Sequence, residues 1–391
     1  MVDRRKLIVY LGAFIGPLAS NAVLALVPEL RQEFMASTSA VLLSITFFML
    51  PFAIFSLFSG AFSDVYGRKK VLYLGLTTYA IGCAITALAQ DLGIFYISRA
   101  VQGIGFALVQ PVLLALLGDI VPKASKAKAM GMFTAATTLG IALGPFVAGL
   151  ISVVDWRIAF LLIALVTALL FLLLVLTRDM PEAVQKVPHV RAVGKALRTA
   201  VANHGVMALA VTGLLHVLCY IGTQAFISDH ISRPSISAPS ETIGTVLALA
   251  GLMGLIGARA GGELVQRMGI FRASLIGNLI MLASIAMMLP VNSIEIYATL
   301  LSTFSIGSAI AWSAQLTMAV EIFPYLRGTV SSLFTSAGFF GGSIAPIVFS
   351  PFYDVFGIAG VQWAIIAVVV SILPIFYFAT RSMTRRADLV Q

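Results

Sequence analysis

Apolar runs of about twenty residues, separated by short polar gaps, recur from Leu7 to Ala379. A helix of about 20 residues crosses the ~30 Å hydrocarbon layer of a bilayer, so each run predicts a transmembrane span. Twelve are expected, near residues 7–29, 40–62, 71–89, 94–120, 129–153, 157–177, 206–229, 242–264, 272–291, 295–322, 328–351 and 358–380. An even number puts both termini on one side of the membrane.

The polar gaps choose that side. Twenty Lys and Arg residues fall at the N-terminus and in the even-numbered gaps, Arg4, Arg68, Lys69, Lys70, Arg178 and Arg267 among them; the opposite side holds only Arg31, Arg157 and Arg233. Loops rich in Lys and Arg stay in the cytoplasm, so both termini are expected there. The start, Arg4-Arg5-Lys6 before an apolar run, has the charge of a signal peptide. Its run exceeds the usual h-region of about 7–15 residues and is read as an uncleaved first span.

The longest polar gap, 178–205, divides the spans six and six. The expected domains are an N-terminal bundle (1–177), a cytoplasmic linker (178–205) and a C-terminal bundle (206–391). In the linker Arg191, Lys195 and Arg198 recur at helical spacing beside Val193, Ala196 and Leu197, as in an amphipathic helix on an anionic leaflet; a solvated tether is the alternative. The two halves repeat. Gly60–Gly67 returns as Gly262–Gly269, and Asp119-Ile120-Val121-Pro122 as Glu321-Ile322-Phe323-Pro324, both 202 residues on. The fold class is therefore an all-α integral membrane protein with two pseudo-symmetric six-helix bundles. Such repeats place a substrate site at mid-membrane between the halves, which rock about it.

Composition narrows the function. The chain is 60% hydrophobic and 10% charged, with a mean hydropathy of +1.02, unlike a soluble domain, about a quarter of which is charged. The net charge of +9 lies in gaps between spans without interleaved stacking aromatics, which argues against nucleic acid. Cys83 and Cys219 lie inside apolar runs and offer neither a disulfide nor a metal framework. No GxxxxGK followed by Ser or Thr cradles a nucleotide, so no enzyme, ATP-driven pump, cofactor or metal is expected.

The Gly60–Leu72 stretch sets an acid and a basic cluster between two apolar runs. Gly60 and Asp64 are one turn apart on one face of span two, so a helix can approach at Gly60 while Asp64 meets its end, and a carboxylate favours a helix N-terminus. Gly67 permits a tight turn, and Arg68 can pair both Asp64 and Asp119. In the second copy Gln266 replaces Asp64 and Ile270 replaces Arg68. Arg259, Glu263 and Glu321 are either a substitute cluster or charges that neutralise one another in lipid. In span five Gly140 and Gly144 form a small-xxx-small face, Pro145 removes a backbone bond, and Gly149 follows. Gly251, Gly254, Gly257 and Gly261 stripe span eight, and the two spans are expected to touch.

These stretches resemble the major facilitator superfamily across essentially the whole chain. Gly60–Leu72 looks like its loop between spans two and three, Gly140–Gly149 like its antiporter motif, and Ile97–Gly105, around Arg99, like its arginine motif. The resemblance implies that Asp64 meets the start of span eleven at Arg327–Ser331, holding an outward-open state. It also implies that spans one, four, seven and ten line the cavity. On those spans Phe14 and Asn21, then Gln102, Phe106 and Gln110, then His216, Tyr220 and Gln224, then Ser308, Trp312 and Gln315 fall at helical spacing. They read as an aromatic-walled small-molecule site, with packing as the alternative for each. No Asp or Glu sits mid-span on these four. His216 is the first candidate for proton coupling, with Arg99, Glu29 and Asp229 behind it, and a neutral or weakly anionic amphiphile suits Arg99 and His216. The expected function is a monomeric, multi-pass cell-membrane antiporter exchanging protons for small amphipathic compounds, multidrug-type. An uptake symporter and a dedicated metabolite exporter are the alternatives.

Overall fold

The computed structural model describes residues 3–122, 125–177, 198–289, 291–321 and 327–387. The first ten spans are Arg4–Ala25, Thr38–Tyr66, Arg68–Ala87, Leu92–Ile120, Lys126–Ser152, Trp156–Leu176, His204–Ser232, Ser240–Met268, Ile270–Met288 and Ile294–Glu321. Spans eleven and twelve share the helical stretch Arg327–Ala387, divided by Gly357 at φ 63° and ψ −155°. Of the linker expected to be amphipathic, residues 178–197 lie outside the described residues.

The polar gaps supply helix starts. Side-chain oxygens of Asp3, Ser37, Asp91, Asp155 and Asn203 accept from the first-turn amides of the spans that follow them, donors that would otherwise lack a partner. The hydrogen bond from Arg5 also holds the Asp3 carboxyl below its ordinary value. After Ala25 the chain breaks at Leu26 and restarts as a short helix, Val27–Glu33, with Pro28 in its first turn. The apolar run expected to continue to residue 29 is thus interrupted, because proline suits a helix start and not an interior.

Both faces of the spans are apolar. Span six buries Phe160, Ile163, Leu170 and Leu174 and exposes Leu161, Leu165, Leu169 and Leu172. Among the described residues, eleven helices are long and apolar enough to cross a membrane; the last, Thr329–Ser382, is divided at Gly357, which makes twelve spans.

The chain forms two compact units. One holds 1–188 with 237–248, the start of span eight; the other holds 189–236 with 249–391. The 202-residue offset reappears in backbone geometry. Spans two to three run Thr38–Tyr66 and Arg68–Ala87, spans eight to nine Ser240–Met268 and Ile270–Met288. In the first unit a Cβ on Gly75 would stand 3.0 Å from the Gly105 carbonyl oxygen; in the second, a Cβ on Gly277 would stand 2.5 Å from that of Gly307. Spans three and four therefore cross backbone to backbone, as do nine and ten. Likewise Gly140 of span five faces the carbonyl of Phe14 in span one, and Gly341 of span eleven faces that of Leu214 in span seven.

Candidate transport site

At the inner ends of spans two to four, Gly67 turns the chain with φ 93° and ψ 138° and starts span three at Arg68. The guanidinium of Arg68 lies 2.5 Å from Asp64 Oδ1 and 3.2 Å from Asp119 Oδ2, and it also donates to the Ser63 hydroxyl. One side chain thus ties spans two and four to the start of three. Lys69 donates to the Thr177 carbonyl at 2.7 Å and brings in the end of span six. The close approach expected at Gly60 is not made within this unit, because a Cβ there would meet nothing within 4 Å. In the second unit Gly262 is equally open, and Arg259 pairs only weakly with Glu263, 3.4 Å away at the exposed surface.

Span five seats its glycines on backbone. A Cβ at Gly140, Gly144 or Gly149 would collide with the carbonyl oxygens of Phe14, Leu18 and Ser240 respectively, and one at Gly244 with that of Pro145. Spans five and eight therefore meet through the outer start of span eight. The glycine stripe expected to make that contact is used elsewhere: Gly257 and Gly261 pack on Ile306 and Ile310 of span ten, and Gly254 faces open space.

Arg99 is fully buried. It donates to the carbonyls of Ala19 (3.3 Å) and Ser20 (3.2 Å) and to Gln102 Oε1 (2.6 Å), and its guanidinium lies 4.6 Å from the centre of the Phe48 ring. Gln102 in turn donates to Thr86, which bonds Ser98 at 2.7 Å. The amide of Gln102, expected in the cavity, is thus spent on joining spans three and four. Phe106, expected beside it, packs between Phe52 (5.2 Å) and Tyr79 (5.9 Å) over Gly16. It fills the bundle interior. Asn21 donates to Pro17 and Ser20 of its own helix, while Phe14 and Gln110 are half-buried.

In the second unit His216 of span seven meets Ser308 of span ten, Nε2 to Oγ at 2.8 Å. Trp312 lies 5.5 Å from the His216 ring and 4.6 Å from Phe334 of span eleven. Tyr220 reaches toward Gln224 and Ser305. Gln315 is fully buried, with no partner for either carboxamide atom, and His216 Nδ1 also lacks one. The His216–Ser308–Trp312 grouping joins side chains that helical spacing alone had placed on separate spans.

Two outer clusters carry little sequence signal. Asp229, with a fully buried side chain, lies 2.9 Å from Arg233 and accepts from the Tyr353 hydroxyl of span eleven at 2.5 Å. Arg157, at the start of span six, pairs with Glu33 at 2.6 Å, donates to the Ala89 carbonyl and lies over Trp156. Glu29, in the same short helix as Glu33, has one buried carboxylate oxygen without a partner. A hollow of about 790 Å³ lies at the Gly357 break between spans eleven and twelve, lined by Phe349, Phe352, Phe356 and Trp363. Its apolar walls include the exposed Phe356 and Trp363, and none of the residues expected at the substrate cavity lines it.

Twelve apolar spans in two related bundles, with most charge at the span ends and Arg99 buried inside span four, are the architecture of a multi-pass membrane protein. The sequence profile of the Major Facilitator Superfamily matches residues 9–346, and the chain belongs to that family. The uncharacterized MFS-type transporter YceJ of Bacillus subtilis (strain 168) is 24% identical over 328 residues, 82% of this chain and 81% of its own. Multidrug resistance protein 2 of the same organism is 30% identical over 165 residues, 41% of each chain. A crystal structure of a D-xylose-proton symporter shares the fold, with a TM-score of 0.75 at 16% identity over 95% of this chain and 97% of that one. The chain is a multi-pass protein of the plasma membrane carrying small-molecule substrates.

Proposed function

We propose that the protein is a proton-coupled exporter of small amphipathic compounds, working by alternating access as a monomer. Span five carries this reading: Gly140, Gly144, Pro145 and Gly149 stand in an antiporter-type sequence, and its three glycines lie against the backbones of span one and the start of span eight. The likeness to a multidrug resistance protein supports the same direction.

In this reading Arg68, Asp64 and Asp119, with the turn at Gly67 and the open face at Gly60, form the inner latch. Asp64 releases or engages the N-terminal end of span eleven as the two bundles, 1–177 and 206–391, rock about the cavity. Phe14, Asn21, Gln110, Tyr220, Gln224, Ser308, Trp312 and Gln315 line the cavity, with Gln102 and Phe106 supporting its wall from inside the first bundle. His216 is the coupling group, because its ring joins spans seven and ten inside the membrane; Arg99, Glu29 and Asp229 are the reserve candidates.

Everted vesicles with an acid lumen test this. An exporter accumulates an amphipathic dye in the lumen as protons leave, an uncoupler stops it, and His216→Ala abolishes the proton dependence. A second reading, uptake symport, draws on the fold shared with the D-xylose-proton symporter. In that case substrate and protons leave the acid lumen together.

A further inference from the structure

The 202-residue repeat allows the two halves to be compared position by position. Arg99 corresponds to Leu301, Phe106 to Ser308, Gln110 to Trp312 and Leu113 to Gln315. The polar groups have thus moved. In the first unit they are committed inside the bundle: Arg99 is held by Ala19, Ser20 and Gln102, and Gln102 by Thr86. Its positive charge is covered by the Phe48 ring and faces protein.

In the second unit several buried polar atoms lack partners. Gln315 is 0% exposed, yet neither its carboxamide oxygen nor its nitrogen has a partner, and the same is true of His216 Nδ1. A buried polar group without a partner is costly and calls for an explanation. Trp312 lies one turn from Ser308 and one turn from Gln315 on the same helix, ring to ring with His216. No full charge faces them from either span. The carboxylate of span seven, Asp229, is held by Arg233 and Tyr353, and those of span ten, Glu295 and Glu321, lie at its two ends.

We infer that the carried compound is uncharged and presents an amide-like pair of one donor and one acceptor. Gln315 grips that pair with its own carboxamide, the flat apolar part lies on Trp312, and a further donor or acceptor meets Nδ1 of His216. The inference rests on reading spans seven and ten as walls of the transport site. A neutral ligand follows because spans seven and ten offer no carboxylate to a cation near Gln315 and no guanidinium to an anion there.

The test is equilibrium binding to the full-length protein in lipid nanodiscs, with chloramphenicol as a neutral amide, tetraphenylphosphonium as a cation and naphthalenesulfonate as an anion. Chloramphenicol is expected to bind at least about tenfold tighter than the other two and to quench Trp312 fluorescence, the quench vanishing in Trp312→Phe. Gln315→Leu should weaken it about tenfold or more, the scale of one lost hydrogen-bonded contact to a polar ligand. It should also raise the thermal midpoint, since a polar burden is removed. Gln315→Glu should shift preference toward the cation. Equal or tighter binding of either ion, unchanged affinity in Gln315→Leu, or no binding by any probe overturns the inference. Proton-driven flux in proteoliposomes separates it from the export reading. Gln315-dependent binding without export removes that reading alone, whereas export of cations independent of Gln315 removes this inference alone.

Discussion

Gly67 and Gly269, 202 residues apart, adopt the same unusual backbone: φ 93° and ψ 138° at the first, φ 86° and ψ 164° at the second. Each ends one span and starts the next with no residue to spare. A side chain there is strained by about 1–3 kcal/mol. Gly67→Ala and Gly269→Ala should each lower stability by that amount, read as a drop in thermal midpoint in detergent. Gly60→Ala, with no neighbour within 4 Å of its Cβ, should leave the midpoint nearly unchanged.

Arg68 reaches Asp64 and Asp119 with different nitrogens, a fork that lysine cannot reproduce. Asp64→Asn and Arg68→Lys should therefore reach the membrane in normal amount but export at least about tenfold more slowly. Comparing whole-cell efflux with the quantity of inserted protein checks this. Normal efflux in Asp64→Asn would remove the latch.

Removing Arg99 leaves the Gln102 amide oxygen without its donor in a buried site and takes a second hydrogen bond from the carbonyls of Ala19 and Ser20, which keep their bonds within span one. Hydrogen bonds to a charged group contribute about 1.5–3 kcal/mol each, and the groups left behind pay their own desolvation. Arg99→Leu should thus cost on the order of 3 kcal/mol of stability and lower the yield of folded protein. Thr86→Val, which takes away a partner of Gln102 and of Ser98, should cost about 1 kcal/mol. If Arg99→Leu is as stable as the parent and only transport fails, its role is not structural.

Tyr353→Phe deletes one donor to Asp229, a fully buried carboxylate. The expected loss is about 1–3 kcal/mol, and Asp229→Asn should recover part of it, because the neutral side chain demands less of its surroundings. A double-mutant cycle on the thermal midpoint measures the coupling; additive losses would mean that the two side chains do not depend on each other.

The spans, the repeat and the Arg68 cluster were legible in the sequence, because each rests on local features: run length, a shared offset, and one turn of helix between Asp64 and Arg68. Which side of a span faces the cavity was harder to read. In water an amphipathic stripe marks the buried face, but in lipid the outer face is apolar too, as Leu165 and Leu169 of span six illustrate. Helical spacing alone could not tell that Gln102 and Phe106 point into the bundle while Gln315 is left without a partner. The pairs Arg157–Glu33 and Asp229–Tyr353 join residues 124 apart in each case, and no local pattern announces them. The break after Ala25 did leave a trace, in Pro28, that the length of the apolar run concealed.

The crossing of Gly75 with Gly105, and its copy at Gly277 and Gly307, has a consequence for how such a protein can evolve. The two helices of each pair cross through main chain at these glycines, with Val109 and Leu108 beside the first crossing and Ile280 and Ala311 beside the second. After duplication, one copy could place an arginine at 99 where the other has leucine at 301, and one a phenylalanine at 106 where the other has serine at 308. The glycine crossing is thus kept in both halves while the side chains around it have diverged.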